Sequence, residues 1–203
     1  MRIYLVRHGQ TESTGKGLYV GMSDVPLNEQ GYKEAKLLGQ AFKGQKIDVV
    51  YCSTLMRSID TAKEIAQVTK ASLKQELLMN EIDFGLLDGH DFDYINKHFP
   101  EVVQRWATDV FDLQFPEGEN FNDLLSRVRK FKNLLLKYAD QANIVVVGHA
   151  GFLKLLTCDL LQIDDEHWWK FKYTTASISE FMVSDGVACI YSFNNLSYNL
   201  AKE

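Results

Sequence analysis

Apolar residues follow two patterns along the chain. One is the short run: Ile3–Val6, Ile47–Tyr51 and Ile144–Val147 read as strands, with a weaker run near Leu73–Leu77. The run Ile144–Val147 is β-branched and does not alternate, the pattern of a strand buried on both faces. Two further runs, Ser177–Val183 and Val187–Phe193, flank Ser184-Asp185-Gly186 and predict a hairpin. The other pattern is helical spacing. Ala35, Leu38 and Phe42 share one face; Leu55, Ile59, Ala62 and Ala66 share another. Leu124, Val128, Phe131, Leu135 and Tyr138 form a stripe along 121–138, with Asn120 as N-cap, and Leu153, Leu156 and Leu160 mark a helix after Gly151.

Strands alternating with helices predict an α/β fold, a three-layer sandwich with a mainly parallel sheet and helices on both faces. Residues 83–119 lack periodicity apart from a helical stretch near 101–108. They are expected to form an insertion that covers the sheet edge and roofs the site. No Ser/Gly-rich linker or repeat divides the sequence, so one domain, 1–203, is expected.

Hydrophobic residues make up 46% of the chain, enough to bury a sizeable core. The balance of 22 basic to 27 acidic residues gives a net charge of −5, with no long basic run. That argues against nucleic-acid or membrane surfaces as partners. Cys52, Cys158 and Cys189 are odd in number, far apart and without metal-ligand spacing. With no signal-peptide pattern and no membrane-length apolar run, a reducing, cytoplasmic setting is expected.

The strand ends carry the chemistry. Leu5-Val6-Arg7-His8-Gly9 and Val146-Val147-Gly148-His149-Ala150-Gly151 both run from a buried strand into histidine and then a small residue. A third strand leads into Ser53-Thr54-Leu55-Met56-Arg57, where Ser53 or Thr54 can cap a helix with Arg57 in its first turn. Ligands bind at such C-terminal strand edges. If the strands are neighbours, Arg7, His8, Arg57 and His149 converge, and two guanidiniums beside two imidazoles call for an anion. Phosphate suits them, because guanidinium forks match its oxygens. Gly9 allows close approach of backbone to a ligand. His90, His98 and His167 lack such a setting, and no H-E-x-x-H or C-x-x-C occurs, so no metal or cofactor is expected.

Leu5-Val6-Arg7-His8-Gly9-Gln10-Thr11-Glu12 resembles the signature of the histidine phosphatase superfamily, which includes phosphoglycerate mutases. Pro26-Leu27-Asn28-Glu29-Gln30-Gly31, Cys52-Ser53-Thr54-Leu55-Met56-Arg57-Ser58, Asn80-Glu81-Ile82-Asp83-Phe84-Gly85 and Val147-Gly148-His149-Ala150-Gly151 are similar to its further motifs, in order. Gly17-Leu18-Tyr19-Val20-Gly21, His167-Trp168-Trp169-Lys170-Phe171 and Pro116-Glu117-Gly118-Glu119 resemble the α-ribazole phosphatase branch of cobalamin biosynthesis.

The resemblance implies a phosphoglycerate mutase-like fold and a phosphomonoesterase working through a phosphohistidine. His8 would be the nucleophile, Glu81 the proton donor and acceptor, and Arg7, Arg57 and His149 the groups stabilising transferred charge. Substrate contacts are implied for Arg7, Gln10, Thr14, Gly21, Arg57 and Ala150. Thr14 stands where relatives often carry asparagine and can still donate to phosphate. The implied partner is a small-molecule phosphate ester; assembly as a homodimer stays open. Tyr19, Phe84, Phe92, Tyr94 and Trp106 can stack on an aromatic leaving group, whereas Trp168 and Trp169 read as packing residues. Alternatives are a sugar-phosphate phosphatase of the fructose-2,6-bisphosphatase type, a broad-specificity phosphatase, a mutase, or a noncatalytic phosphate-binding protein.

Overall fold

The computed structural model of the chain describes residues 1–199. A first strand, β1 (Arg2–Arg7), is followed by the one-turn α1 (Glu12–Gly15), α2 (Glu29–Ala41), β2 (Val49–Cys52), α3 (Met56–Thr69) and β3 (Ser72–Gln75). Next come α4 (Phe92–His98), α5 (Pro100–Thr108), α6 (Phe121–Leu135), β4 (Asn143–Gly148) and α7 (Ala150–Leu161). The hairpin β5 (Ile178–Ser184) and β6 (Val187–Asn195) closes the sheet. Strand order is β3-β2-β4-β1-β5-β6 in one six-stranded sheet. The first four of these are parallel to one another; β5 runs antiparallel to β1, and β6 antiparallel to β5.

The central strands are apolar throughout because both faces are covered. Ile144 and Val146 of β4 join one core, with Leu124, Val128 and Phe131 of α6 and Phe152 and Leu156 of α7. Val145 and Val147 join the other, with Leu38 and Phe42 of α2 and Ala62 and Ile65 of α3. Alternate side chains of one strand therefore serve two cores. The hairpin turns on Asp185 (φ 51°) and Gly186 (φ 76°), a two-residue loop whose left-handed residues match the strands' twist. Asn120 caps α6 and accepts the Asp123 N–H at 2.8 Å. Among the described residues no helix is long and apolar enough to cross a membrane.

Three expectations need correction. The N-cap of α3 is Leu55, which makes no side-chain cap; the Met56 N–H donates instead to Asp24 Oδ1 at 2.6 Å. Segment 83–119 does not lie along a sheet edge: its Leu87, Ile95, Val102, Leu113 and Phe115 enter the α6/α7 core. It also contains α4, a helix with Ile95 as its one buried residue and hence no stripe to read. Gly9 faces backbone of its own chain rather than a ligand. A Cβ there would lie 2.6 Å from Gly31 O, and one on Gly31 would lie 2.0 Å from Gln10 O. The loop after His8 thus rests directly on the start of α2.

Gly31→Ala tests this contact. Alanine favours helix by about 1 kcal/mol over glycine, but its methyl group would meet a backbone oxygen that has nowhere to go. The expected result is a net loss of about 1–3 kcal/mol, the cost of overpacking, read from the urea midpoint. A gain in stability would show that the loop is not seated against the helix.

Candidate active site

Strand register brings the chemistry together. In the β1–β4 pairing Arg7 lies opposite Gly148, so the residues that follow, His8 and His149, emerge side by side. The His8 N–H donates to Gly148 O at 3.1 Å, and the two imidazole centroids are 5.1 Å apart. On the other flank of β4, Cys52 pairs with Val147. That puts Ser53 next to His149, with Ser53 Oγ 2.7 Å from His149 Nε2.

Arg57, in the first turn of α3, is 2% exposed. Its Nη1 donates to Ser23 O at 2.8 Å and its Nη2 to Gly21 O at 2.7 Å. Arg7 donates from Nη1 to Tyr173 O at 2.7 Å, while its buried Nε has no partner. Among the described residues neither guanidinium forms a salt bridge. Both line a cavity of about 250 Å³ with His8, Thr11, Thr14, Glu81 and Ala150. Buried, unpaired cations are costly; an anion in this cavity would compensate them.

Burial, then Arg57, then Arg7 hold the His8 imidazole well below its ordinary 6.5. His149 is pushed the same way by burial, Arg57, His8 and Arg7. Both rings are therefore neutral near pH 7. His8 Nδ1 lies 2.7 Å from Gly9 O. Since a carbonyl only accepts, Nδ1 carries the proton and Nε2 keeps its lone pair. Ser53 Oγ accepts the Leu55 N–H at 3.3 Å and has its own proton left for His149 Nε2. With that proton given to Nε2, the His149 proton sits on Nδ1, a buried atom without a partner among the described residues.

Glu81 is buried at the N-terminus of α7. Its Oε2 accepts from Gly151 N at 2.9 Å, and its Oε1 from Phe152 N at 3.2 Å and Ile82 N at 3.1 Å. A Cβ on Gly151 would sit 2.5 Å from Glu81 Oε1, so only glycine admits the carboxylate here. Arg127 of α6 holds the Glu81 loop from behind. Its Nη1 donates to Leu78 O and Asn80 O, and its Nε and Nη2 fork onto Glu119 at 2.9 and 2.7 Å.

The model for the histidine phosphatase superfamily (branch 1) matches residues 3–196. The chain belongs to this superfamily. Phosphoserine phosphatase 1 of Hydrogenobacter thermophilus is 33% identical over 88% of this chain and 85% of its own length. Adenosylcobalamin/alpha-ribazole phosphatase of Salmonella typhimurium is 31% identical over 96% of both chains. The crystal structure of the alpha-ribazole phosphatase from Shigella flexneri superposes with a TM-score of 0.89, at 28% identity and 96% coverage of both chains. The chain is thus a phosphatase.

Other residues implied as substrate contacts lie differently in this histidine phosphatase. Gly21 is not among the residues lining the cavity; its carbonyl holds Arg57. Gln10 lines a neighbouring cleft beside Arg7, and its Oε1 accepts from Asn28 Nδ2 at 2.9 Å. Thr14 reaches the cavity, but its hydroxyl donates to Thr11 O and accepts the Thr11 N–H, closing the capping box of α1. Phe92 and Tyr94 are exposed and outside the cavity lining, whereas Tyr19, Phe84 and Trp106 belong to it. Trp168 lines the cavity and packs on Phe121 at 4.9 Å, but Trp169 is 65% exposed and is no packing residue. From the sequence Ser53 is marked out only as a helix-cap candidate and motif member, and Arg127 and Lys154 are not marked out at all.

The phosphatase should lose stability as pH falls. Its unfolded histidines titrate near 6.5, while the folded pair refuses protons until lower pH. Below about 6.5 the unfolded state binds more protons, so stability declines by up to about 1.4 kcal/mol per pH unit for each histidine. Urea midpoints between about pH 7 and pH 5 should show this, with a shallower slope in His149→Asn. Equal slopes in parent and variant would remove His149 from the linkage.

Proposed function

We propose that the chain hydrolyses phosphate monoesters through a phosphohistidine on His8, with α-ribazole 5′-phosphate as its leading substrate. One observation carries the chemistry: two guanidiniums without carboxylate partners flank an imidazole whose Nδ1 is committed to Gly9 O. A tetrahedral dianion fits that demand. His8 Nε2 attacks phosphorus in line, the P–N bond forms and the ester P–O bond breaks. Arg7, Arg57 and the His149 Nδ1–H meet the charge on the equatorial oxygens, and the first N–H of α7, at Ala150, adds another donor. Glu81 gives a proton to the departing alkoxide, then takes one from the water that attacks the phosphohistidine, releasing phosphate and neutral His8.

The identity of the alcohol rests on the aromatic lining and on the relatives named above. Tyr19, Phe84 and Trp106 give the cavity an apolar wall suited to a benzimidazole nucleoside. We assign segment 83–119, which supplies Phe84 and Trp106, the part of a roof over the site. The reading is of a cytoplasmic enzyme acting on a diffusible small ester. Phosphoserine, the substrate in the name of one relative, is a second reading, favoured by the cationic Lys154 in the lining.

His8→Ala is expected to abolish both turnover and acid-labile phosphoenzyme while leaving the thermal transition in place. Glu81→Gln should slow turnover by about 10²–10⁴-fold, with binding of phosphate esters largely kept. Aryl phosphate hydrolysis should persist in excess chelator and be inhibited by vanadate. Phosphate release by His8→Ala at the parent rate would overturn the assignment.

A further inference from the structure

The carbonyls that hold Arg57 belong to residues 21–23, which form neither helix nor strand. Asp88 holds this loop from its other side. Its Oδ2 accepts the Gly21 N–H at 3.2 Å and the Ser23 N–H at 3.1 Å. The same two residues turn their carbonyls to Arg57, Gly21 O to Nη2 and Ser23 O to Nη1. A strip of backbone thus lies between a carboxylate and a guanidinium, donors toward the anion and acceptors toward the cation. Asp88 is itself fixed. It follows the turn Gly85–Leu87 and its N–H donates to Gly85 O at 3.1 Å, while the next N–H, of Gly89, donates to Tyr19 O at 2.7 Å. The loop is also confined by the segment that carries Glu81: a Cβ on Gly21 would sit 1.9 Å from Ile82 O.

We propose that Asp88 is a positioning residue for the phosphatase: it clamps the 21–23 backbone so that Gly21 O and Ser23 O hold the Arg57 guanidinium against the phosphate. The proposal rests on the role given to Arg57 in the reading above. Separation by one layer of backbone suits the chemistry. In direct contact the carboxylate would occupy the guanidinium fork that the phosphate needs. Across the loop it attracts the guanidinium and leaves the fork free. Burial pulls Arg57 below its ordinary value, and Glu81, Asp88 and Asp24 oppose that shift. The other carboxylate oxygen, Oδ1, is buried without a hydrogen-bond partner among the described residues. Such a placement is costly on its own, and attraction to the nearby Arg57 charge offsets it.

The test is a double-mutant cycle between Asp88 and Arg57, read in kcat/KM for an aryl phosphate and in the calorimetric Kd for vanadate, which needs no turnover. Asp88→Ala should lower kcat/KM by about 10–100-fold, mainly through kcat, because a guanidinium out of place loses transition-state contacts first. Vanadate affinity should weaken with it. Asp88→Asn keeps an acceptor oxygen for the two N–H groups and should recover most of the loss. In an Arg57→Ala background, Asp88→Ala should cost nothing further. Asp88→Ser, whose hydroxyl is too short to reach both N–H groups, repeats the cycle if the alanine variant lacks the parent's thermal transition. Parent-like kcat/KM and vanadate affinity in the folded variant, or a loss of equal size with and without Arg57, overturns the proposal. An Arg57→Ala variant as active as the parent would instead overturn the role of Arg57 in the phosphatase reading.

Discussion

A guanidinium almost fully withdrawn from water, with backbone carbonyls as its acceptors, is the constraint on which the rest of the site depends. Arg57 binds Ser23 O and Gly21 O, and Arg7 binds Tyr173 O. Carbonyl dipoles orient a cation without cancelling its charge. The uncancelled charge has two consequences. Together with burial, the larger cause, it keeps His8 and His149 neutral, so His8 Nε2 has its lone pair, and it suits the cavity to an anion. A carboxylate in place of either carbonyl would cancel part of that charge and weaken both effects. This is how a folded chain sets aside stability for a site.

The scaffold is built to hold that arrangement still. Parallel pairing of β2, β4 and β1 delivers Ser53, His149 and His8 in a row, and a register shift on any strand would break the set. Ser58 Oγ donates to Val147 O and Thr61 Oγ1 accepts the Gly9 N–H, so α3 is tied to the ends of both histidine strands. Glu81 is fixed from two sides: by N–H groups at the start of α7 and by Arg127 on its own loop's carbonyls. The cavity's histidines and arginines thus sit at strand ends and a helix start, Glu81 is held on its loop by backbone N–H groups, and side chains such as Arg127 and Ser53 support them.

The strands and the polar groups gathered at their ends were legible in the sequence for the same reason. A strand covered on both faces must be apolar, so a sudden Arg-His or His-Ala-Gly at its end stands out, and five motifs in order specify one family. The supporting layer left little trace. Arg127 lies on the polar side of α6 and reads like any solvated charge until Leu78, Asn80 and Glu119 are brought to it by the fold. The start of α3 lies one or two residues later than expected because Ser53 and Thr54, both good capping types, are recruited elsewhere, Ser53 to His149 and Thr54 to Asn80. Local propensity gave way to tertiary hydrogen bonds.

The same distinction separates phosphate recognition from recognition of the alcohol. Arg7 and Arg57 are specified by charge, which a sequence displays openly. The alcohol side is specified by packing. Tyr19, Phe84 and Trp106 lie within 5.1–5.9 Å of one another. Phe115 meets Phe84 and Trp106 at 5.2 Å. These rings pack edge-on and tilted against each other as a cluster. A wall of that kind accepts many apolar groups with similar affinity, since an extra methylene in an apolar pocket changes discrimination by only about 1–3 kcal/mol. Selectivity on this side therefore has to come from a polar group that is costly to leave unmatched. Lys154, whose ammonium lies over Trp168 in the lining of the same cavity, is a group of that kind.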